Sequence, residues 1–280
     1  MISIHSVSIS AELVKNKINE FSNETALAIS NFAKNNFENM KYLEFDIQIQ
    51  EKLKPSFSIM SVTELLKIDS GTVFNQTSLN THDNDETVNI GFGYRKLLND
   101  NKILIGSNIF YDHQFDLDHK RTGAGLEAIS SIFDLRGNYY NALSGSKITS
   151  DGSERALDGW DTQLDYHLPG EKDVNIFANL FAFENPDSAS TYEEKGTKFG
   201  ANASLGNFTI EGGYLNDNQN NDAFFGSVKF VVKLGDNGDK KKQNFLEYTD
   251  VSDKLYQPVK RENKIRVVKI SKSGVTVGGF

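Results

Sequence analysis

From about Lys41 to Leu234 the chain alternates apolar and polar residues with a period of two. Leu43, Phe45, Ile47 and Ile49 alternate with Glu44, Asp46, Gln48 and Gln50. Val88, Ile90, Phe92 and Tyr94 alternate with Asn89, Gly91, Gly93 and Arg95. The same pattern runs through Trp160–His167, Phe208–Tyr214 and Gly226–Lys233. Successive side chains of a strand point to opposite faces, so this pattern predicts strands with one apolar face and one charged, amide or glycine face. Twelve strands are predicted, near 41–50, 55–67, 71–81, 86–98, 102–113, 121–129, 131–144, 157–168, 173–183, 197–205, 207–215 and 223–234. Alternation by itself fits a soluble all-β protein with an apolar core or a membrane barrel with an apolar outside.

The connections favour the barrel. Ile68–Ser70, Asn99–Asn101, the turn near Ser130, Pro169–Lys172 and Gly206 are short. His113–Lys120, Gly145–Ala156, Glu184–Gly196 and Asn216–Asp222 are longer and rich in Asp, Asn, Ser and Gly. Short turns at one end and long loops at the other are the plan of an up-and-down outer-membrane barrel. An even strand number lets the first and last strands pair and leaves no open edge. Tyr94, Tyr111, Phe115, Tyr139, Tyr166, Phe183 and Tyr214 lie near predicted strand ends and suit interfacial girdles.

The flanks differ in period. Between about Val7 and Met40, Leu13, Ile18, Phe21, Leu27, Ile29, Phe32 and Phe37 recur at three-to-four spacing, which predicts helix. After Leu234 come Gly235, Asn237, Gly238 and the run Lys240–Lys242, a stretch prone to reversal. Phe245–Tyr256 is helix-compatible. Pro258 then blocks helix continuation, and Val259–Ile270 reads as extended. Three units result: residues 1–40, 41–234 and 235–280.

Composition narrows the function classes. The 280 residues carry 38 acidic against 30 basic side chains, a formal net charge of -8. Nucleic acid is a poor partner for such a balance. There is no Cys, so disulfides and Cys-ligated metal centres are excluded. No run of about 18 apolar residues is present, which excludes a spanning helix but not a strand barrel. Met1–Ser10 shows neither a basic nor an apolar export region. Any export signal is therefore expected to have been removed or to lie outside the assigned start.

Catalytic and metal-binding readings carry less weight than a polar lumen. Asn108, Asp112, Glu127, Asp134 and Arg136 lie on polar faces of neighbouring strands; they suit an acid–base group or a charge-paired, water-filled interior. Asp112, His113, Asp116, Asp118 and His119 are metal-ligand types, but they fall in a loop where such residues are ordinary turn formers. Asp165 and His167 share a strand face without a serine elbow. Gly91-Phe-Gly93 and Gly123-Ala-Gly125 are not followed by a helix start, so they are not nucleotide loops; as inward glycines they are expected to leave room for chain in the barrel interior. No metal or cofactor is expected. Lys240–Lys242 suits a solvated turn or, less well, an anionic lipid surface.

Several stretches carry a resemblance. Asn89-Ile-Gly-Phe-Gly-Tyr-Arg95, Ile105-Gly-Ser-Asn-Ile-Phe-Tyr-Asp112, Arg121-Thr-Gly-Ala-Gly-Leu-Glu127 and Gly159-Trp-Asp161 resemble the barrel signature of intimins and invasins, the inverse autotransporters. Val259-Lys-Arg-Glu-Asn-Lys-Ile-Arg-Val267 is similar to the basic linker that follows that barrel. The match runs in order from about Asn31 to Lys269; the order and spacing carry it rather than any one motif. It implies a twelve-stranded antiparallel transmembrane β-barrel in a Gram-negative outer membrane, with the N-terminal helical segment periplasmic. It implies that the chain turns back after the last strand, threads the pore and carries a passenger outward. Outer-membrane lipid, the chain's own linker and passenger, the barrel assembly machinery and periplasmic chaperones are the implied partners.

The expected lumen lining is Glu44, Asp46, Arg95, Asn108, Asp112, Glu127, Asp134, Arg136, Asp161, Asp165, Glu211 and Lys229. The expected threading segment carries Lys260, Arg261, Asn263, Lys264 and Arg266. A stretch this basic is costly in hydrocarbon and suits an acidic lumen. Only about ten residues follow it, so a translocator is expected here rather than the adhesive part. An outer-membrane barrel enzyme and a soluble all-β binding protein are the alternatives.

Overall fold

The computed structural model describes residues 24–33, 35–82, 85–170, 173–187, 190–234, 247–272 and 276–279. Helical backbone covers residues 24–33 and 35–36. The strands are β1 Met40–Gln50, β2 Ser56–Ile68, β3 Gly71–His82, β4 Asp85–Leu98, β5 Ile103–Gln114, β6 His119–Ser130 and β7 Phe133–Ala142. Then come β8 Lys147–Ile148, β9 Gly152–Ala156, β10 Asp158–His167, β11 Val174–Glu184, β12 Glu193–Leu205, β13 Phe208–Asp217 and β14 Ala223–Lys233. After a single 3₁₀ turn, Ser252–Lys254, follow β15 Val267–Ser271 and β16 Thr276–Gly279.

Twelve strands close into one antiparallel barrel in the order β1-β14-β13-β12-β11-β10-β7-β6-β5-β4-β3-β2. Closure runs from Tyr42↔Lys233 to Gln50↔Phe225, so neither terminal strand has an open edge. Four strands outside it, ordered β16-β15-β9-β8, form a small separate sheet. No helix among the described residues is long and apolar enough to cross a membrane.

Parity explains the two surfaces. Ile47, Phe92, Ile109, Leu126, Leu164, Leu180 and Val228 point outward and are exposed. Phe208 and Phe230 share that side as cross-strand partners, with ring centroids 5.2 Å apart. An outer surface this apolar is stable only against hydrocarbon. Tyr94, Tyr111, Tyr139 and Trp160 are exposed on the same face.

At one end the connections are 69–70, 99–102, 131–132, 168–173 and 206–207. Asn99, Asp100 and Asn101 all take positive φ, 54°, 54° and 64°, a conformation that Asn and Asp tolerate better than other side chains. At the other end lie 51–55, 83–84, 115–118, 143–157, 185–192 and 218–222. Residue 40, the start of β1, sits at the short-turn end.

Several predicted boundaries shift. The predicted strand 131–144 ends at Ala142, and strands expected at 121 and 197 begin at His119 and Glu193. The expected loop Gly145–Ala156 contains a β hairpin, and the helix-compatible run Phe245–Tyr256 is reduced, in its described part, to one 3₁₀ turn. The predicted reversal at Lys240–Lys242 lies outside the described residues.

Candidate functional site: a lumen filled on one side

Residues 247–267 pass through the barrel from the short-turn mouth to the long-loop mouth. At entry, Val251 and Leu255 pack on Leu97, Leu104 and Ile129, while the Val251 N–H donates to the Asn101 carbonyl at 2.8 Å. The Lys254 ammonium reaches Asp134 at 3.1 Å and the Ser130 carbonyl at 2.6 Å. The Tyr256 hydroxyl donates to Glu64.

Inside, the wall grips the main chain of the linker. Gln76 accepts from the Val259 N–H at 2.7 Å and donates to its carbonyl at 3.3 Å, completing one rung of a sheet-like ladder with a side chain. Asn138 donates to the Lys260 carbonyl at 3.1 Å, Asn89 to that of Asn263 at 2.9 Å and Arg121 to that of Glu262 at 2.6 Å. The Glu262 N–H donates to the Tyr140 hydroxyl at 2.7 Å. Arg95 donates to the carbonyls of Leu255 and Gln257 while its other edge binds Glu127. These donors and acceptors satisfy an extended backbone that has no partner strand, which a buried segment requires.

Side chains set the register. Arg261 makes a two-pronged contact to Asp112 at 2.8 and 2.7 Å, and Arg121 binds the same carboxylate at 2.8 Å. Asn89 donates to it as well, at 2.7 Å. Lys260 reaches Asp165 at 2.7 Å, beside Arg136 at 2.7 Å. Arg266 pairs with Glu194 near the exit. Paired forks of this kind fix geometry as well as charge.

The guanidinium planes also lie on aromatic rings. Arg261 sits 4.2 Å from the centroid of Phe110, and Arg266 is 4.5 Å from Phe181 and 4.8 Å from Phe183. Among the wall residues, Arg95 lies over Phe74 and Arg121 over Tyr140. Cation–π contact adds to the ion pairs.

All twelve expected lumen residues have inward parity. Arg95, Asp112, Asp134, Arg136 and Asp165 are fully or nearly fully buried in the gripping wall, with Asn108 and Glu127 beside them. Glu44, Asp46, Glu211 and Lys229 lie on the opposite wall, where Lys229 is 3.7 Å from Glu44 and 4.0 Å from Asp46. Asp161 lies between the two and accepts from Asn138 at 2.9 Å. Of the linker residues, Lys260, Arg261 and Arg266 meet acidic wall partners, and the Asn263 side chain accepts from Arg261 at 3.4 Å. Lys264 faces the open part of the lumen.

That open part is a cavity of about 1250 Å³ alongside the linker. Its lining reaches from Gln50, Lys54 and Ser56 at the long-loop mouth to Gly170, Gly206 and Asp250 at the short-turn mouth. It follows β1, β2 and β11–β14, whereas the linker's hydrogen bonds between Gln257 and Asn263 go to β3–β7 and β10, with Tyr256 on β2 at entry and Arg266 on β11 and β12 at exit. The lumen therefore has a gripping half and an open half.

The structure departs from two expectations. Phe183, expected in a girdle, points inward, 1 % exposed and stacked on Tyr140 at 5.6 Å. Gly91 and Gly93 do not clear space for the linker; a Cβ on either would strike the ring of Phe110 or Phe74, so they seat the aromatics that meet the arginines. Gly123 alone fits the expectation, with Arg261 3.0 Å from where its Cβ would be. The Asp/His-rich loop residues disperse. Asp112 serves Arg261, His113 meets Asp118 at 2.9 Å, and buried His119 meets Glu154 at 3.2 Å. Among the described residues no His/Cys/Asp/Glu group could hold a metal. Asp165 and His167 take separate partners, His167 lying 3.0 Å from Asp134.

Sequence reasoning missed Gln76, Asn89, Arg121, Asn138, Tyr140 and Glu194. The amides sit at inward parity, a signal that was available. The inward aromatics were hidden, because parity arguments assign rings to the lipid face.

Comparison with known proteins agrees with this architecture. The family model for the inverse autotransporter β-domain matches residues 3–263. The inverse autotransporter adhesin YeeJ of Escherichia coli (strain K12) is 30% identical over 100 residues, 34% of this chain and 4% of that protein. Intimin of Escherichia coli O111:H- is 33% identical over 99 residues, 34% of this chain and 10% of that protein. The chain thus matches a small part of either relative. A membrane protein solved in a study of in-meso crystallization superposes with TM-score 0.68 at 21% identity, over 81% of this chain and 98% of its own. An outer membrane channel from Pseudomonas putida F1 gives TM-score 0.53 at 10% identity, over 69% and 95%.

Proposed function

Because the chain belongs to the inverse autotransporter β-domain family and is a Gram-negative outer-membrane barrel, we propose that it threads and anchors the polypeptide that follows its linker. The short-turn mouth faces the periplasm and the long-loop mouth faces outward, as in outer-membrane barrels generally. In this reading the chain leaves β14 on the periplasmic side, turns back at 247–258, runs up the lumen and emerges beside β9.

The course of residues 254–267 carries the reading. Their carbonyls and amides are matched by wall side chains from β3, β4, β6 and β7. A disordered periplasmic tail would have no use for that pairing. The charge pattern is of the same kind: a basic segment costly in hydrocarbon meets Asp112, Asp165 and Glu194. The open half of the lumen leaves room for more chain to pass while the linker keeps its seat. The family favours a translocator and anchor over an enzyme. Assembly machinery, chaperones and an adhesive passenger are the partners this role needs.

An epitope tag placed after Phe280 tests it. In intact Gram-negative cells producing the full chain, antibody should label the tag without permeabilisation. Labelling only after the outer membrane is opened would overturn the reading.

A further inference from the structure

The small sheet outside the barrel has no place in the anchoring role described so far. Its hairpin, β8–β9, belongs to the loop between β7 and β10, and it meets the linker just where the linker leaves the lumen. β15 lies along β9 in antiparallel register, from Val267↔Ala156 to Ser271↔Gly152. Bonds at both ends extend the ladder: the Leu157 N–H donates to the Arg266 carbonyl at 3.0 Å, and the Lys272 N–H to the Asp151 carbonyl at 2.8 Å. Pairing an extended segment with an available strand edge is strand addition, in which main-chain bonds supply the hold.

Two further contacts secure the junction. Val268 is fully buried among Tyr140, Leu157, Phe181, Phe183 and Leu215, which form an apolar collar at the outer end of the lumen. Glu154 on β9 joins three elements: it lies 3.2 Å from His119 on the barrel wall and 3.3 Å from Lys269 on the linker. Gly152 permits the approach, since a Cβ there would stand 1.9 Å from the Ile270 carbonyl oxygen.

We propose that the β8–β9 hairpin is a latch: a strand-addition site whose ligand is residues 267–271 of this same chain, holding the linker against sliding in the lumen. The proposal rests on the threading reading above. The lumen contacts are mostly single side-chain bonds and ion pairs. The latch adds a continuous main-chain ladder, a buried knob and a three-way polar contact at one end of the thread. A linker gripped only by the wall is free to slip by a residue at a time; one paired at its exit must break the whole ladder first.

Full-length chain in planar lipid bilayers tests this, with brief openings of the pore as the measure of slippage. Gly152→Val, which excludes the β15 backbone from β9, should raise the frequency of openings at least tenfold. The double variant Glu154→Cys/Lys269→Cys places a register pair of thiols across the junction in a chain that has no native Cys. Oxidised, it should open less often than the parent, and reductant should return it to or above the parental frequency. Heat-modified migration on gels confirms that each barrel is formed. If both variants open as the parent does, the latch is wrong. Surface labelling of the C-terminal tag, read on the same variants, separates that outcome from failure of the threading reading.

Discussion

The two halves of the lumen are built from the same alternating pattern and behave differently. On β3–β7 and β10 the inward positions hold Gln76, Asn89, Arg95, Asp112, Arg121, Asn138 and Asp165, and the linker is bonded to them or stacked beside them. On β1, β2 and β11–β14 the inward positions include Glu44, Asp46, Ser58, Asn202, Ser204 and Lys229, and they border open space. The first half carries forked ions and amides placed to read a backbone. The second carries the Glu44, Asp46 and Lys229 cluster and short polar groups beside the cavity.

Removing the linker should break the comparison most completely. A chain ending before residue 236 loses the segment that fills the gripping half and should form a steady ion-conducting pore in planar bilayers. The full chain should conduct far less, with only the open half available. Equal conductance of the two would mean that the linker does not occupy the lumen in the membrane.

Next in size is the contrast between carboxylates on the two walls. Asp112 is fully buried and serves Arg121 and Arg261 together. Asp112→Ala strands two buried guanidiniums and should cost about 3–5 kcal/mol. Asp46 is also buried and accepts from Gln48 at 2.7 Å, but Asp46→Ala leaves Lys229 with Glu44 at 3.7 Å and strands no guanidinium, so it should cost less than Asp112→Ala. Urea unfolding in lipid vesicles, followed by the emission of the lone Trp160, measures both. Similar losses would erase the distinction between the walls.

The lipid face should ignore that distinction. Phe92 lies mid-strand on β4, outside the gripping half, and Phe92→Arg should cost about 2–4 kcal/mol if it sits near the bilayer midplane. Phe230 lies outside the open half, nearer the end of β14, so Phe230→Arg should fall toward the lower end of that range. Unfolding of the two variants in one lipid should rank them by depth alone. A harmless Phe230→Arg would point to a one-residue register shift.

Much of this was legible in the alternation. Strand number, barrel closure and the inward parity of residues such as Arg95, Asp112 and Glu127 follow from a period of two, because a strand has only two faces. The linker's basic stretch was legible as a segment unsuited to hydrocarbon. Inward aromatics were not. Phe183 reads as a girdle residue, and the inward place of Phe74, Phe110 and Phe181 shows only once the glycines opposite and the arginines above them are placed in space. The division of the lumen was also hidden, since it depends on which six neighbouring strands the linker leans against. The exit hairpin was read as a loop because β8 and β9 have two and five residues, too short for periodicity to register.

The smallest expected effect lies at the exit, outside the hydrocarbon, and it adds a third region to the comparison. Burial pushes the Glu154 carboxyl upward, but the contact with His119 and the Lys269 ammonium outweigh it and hold the group below its ordinary value of 4.5. A carboxylate depressed in the folded state contributes stability above its unfolded pKa, and that contribution is lost as pH falls through the folded one. The junction should therefore be at full strength from neutral pH down to about 4.5 and loosen below it. Its charged neighbours act in the same direction. With Glu154 protonated, the Lys269 ammonium loses its carboxylate partner, and Lys147 of β8 is the register partner of Glu154. Openings of the full chain should become more frequent below that pH. Glu154→Gln removes the titrating group, so its openings should be more frequent throughout and lack this step. A step that persists in Glu154→Gln would assign the acid response to the gripping wall instead, making the exit a passive contact.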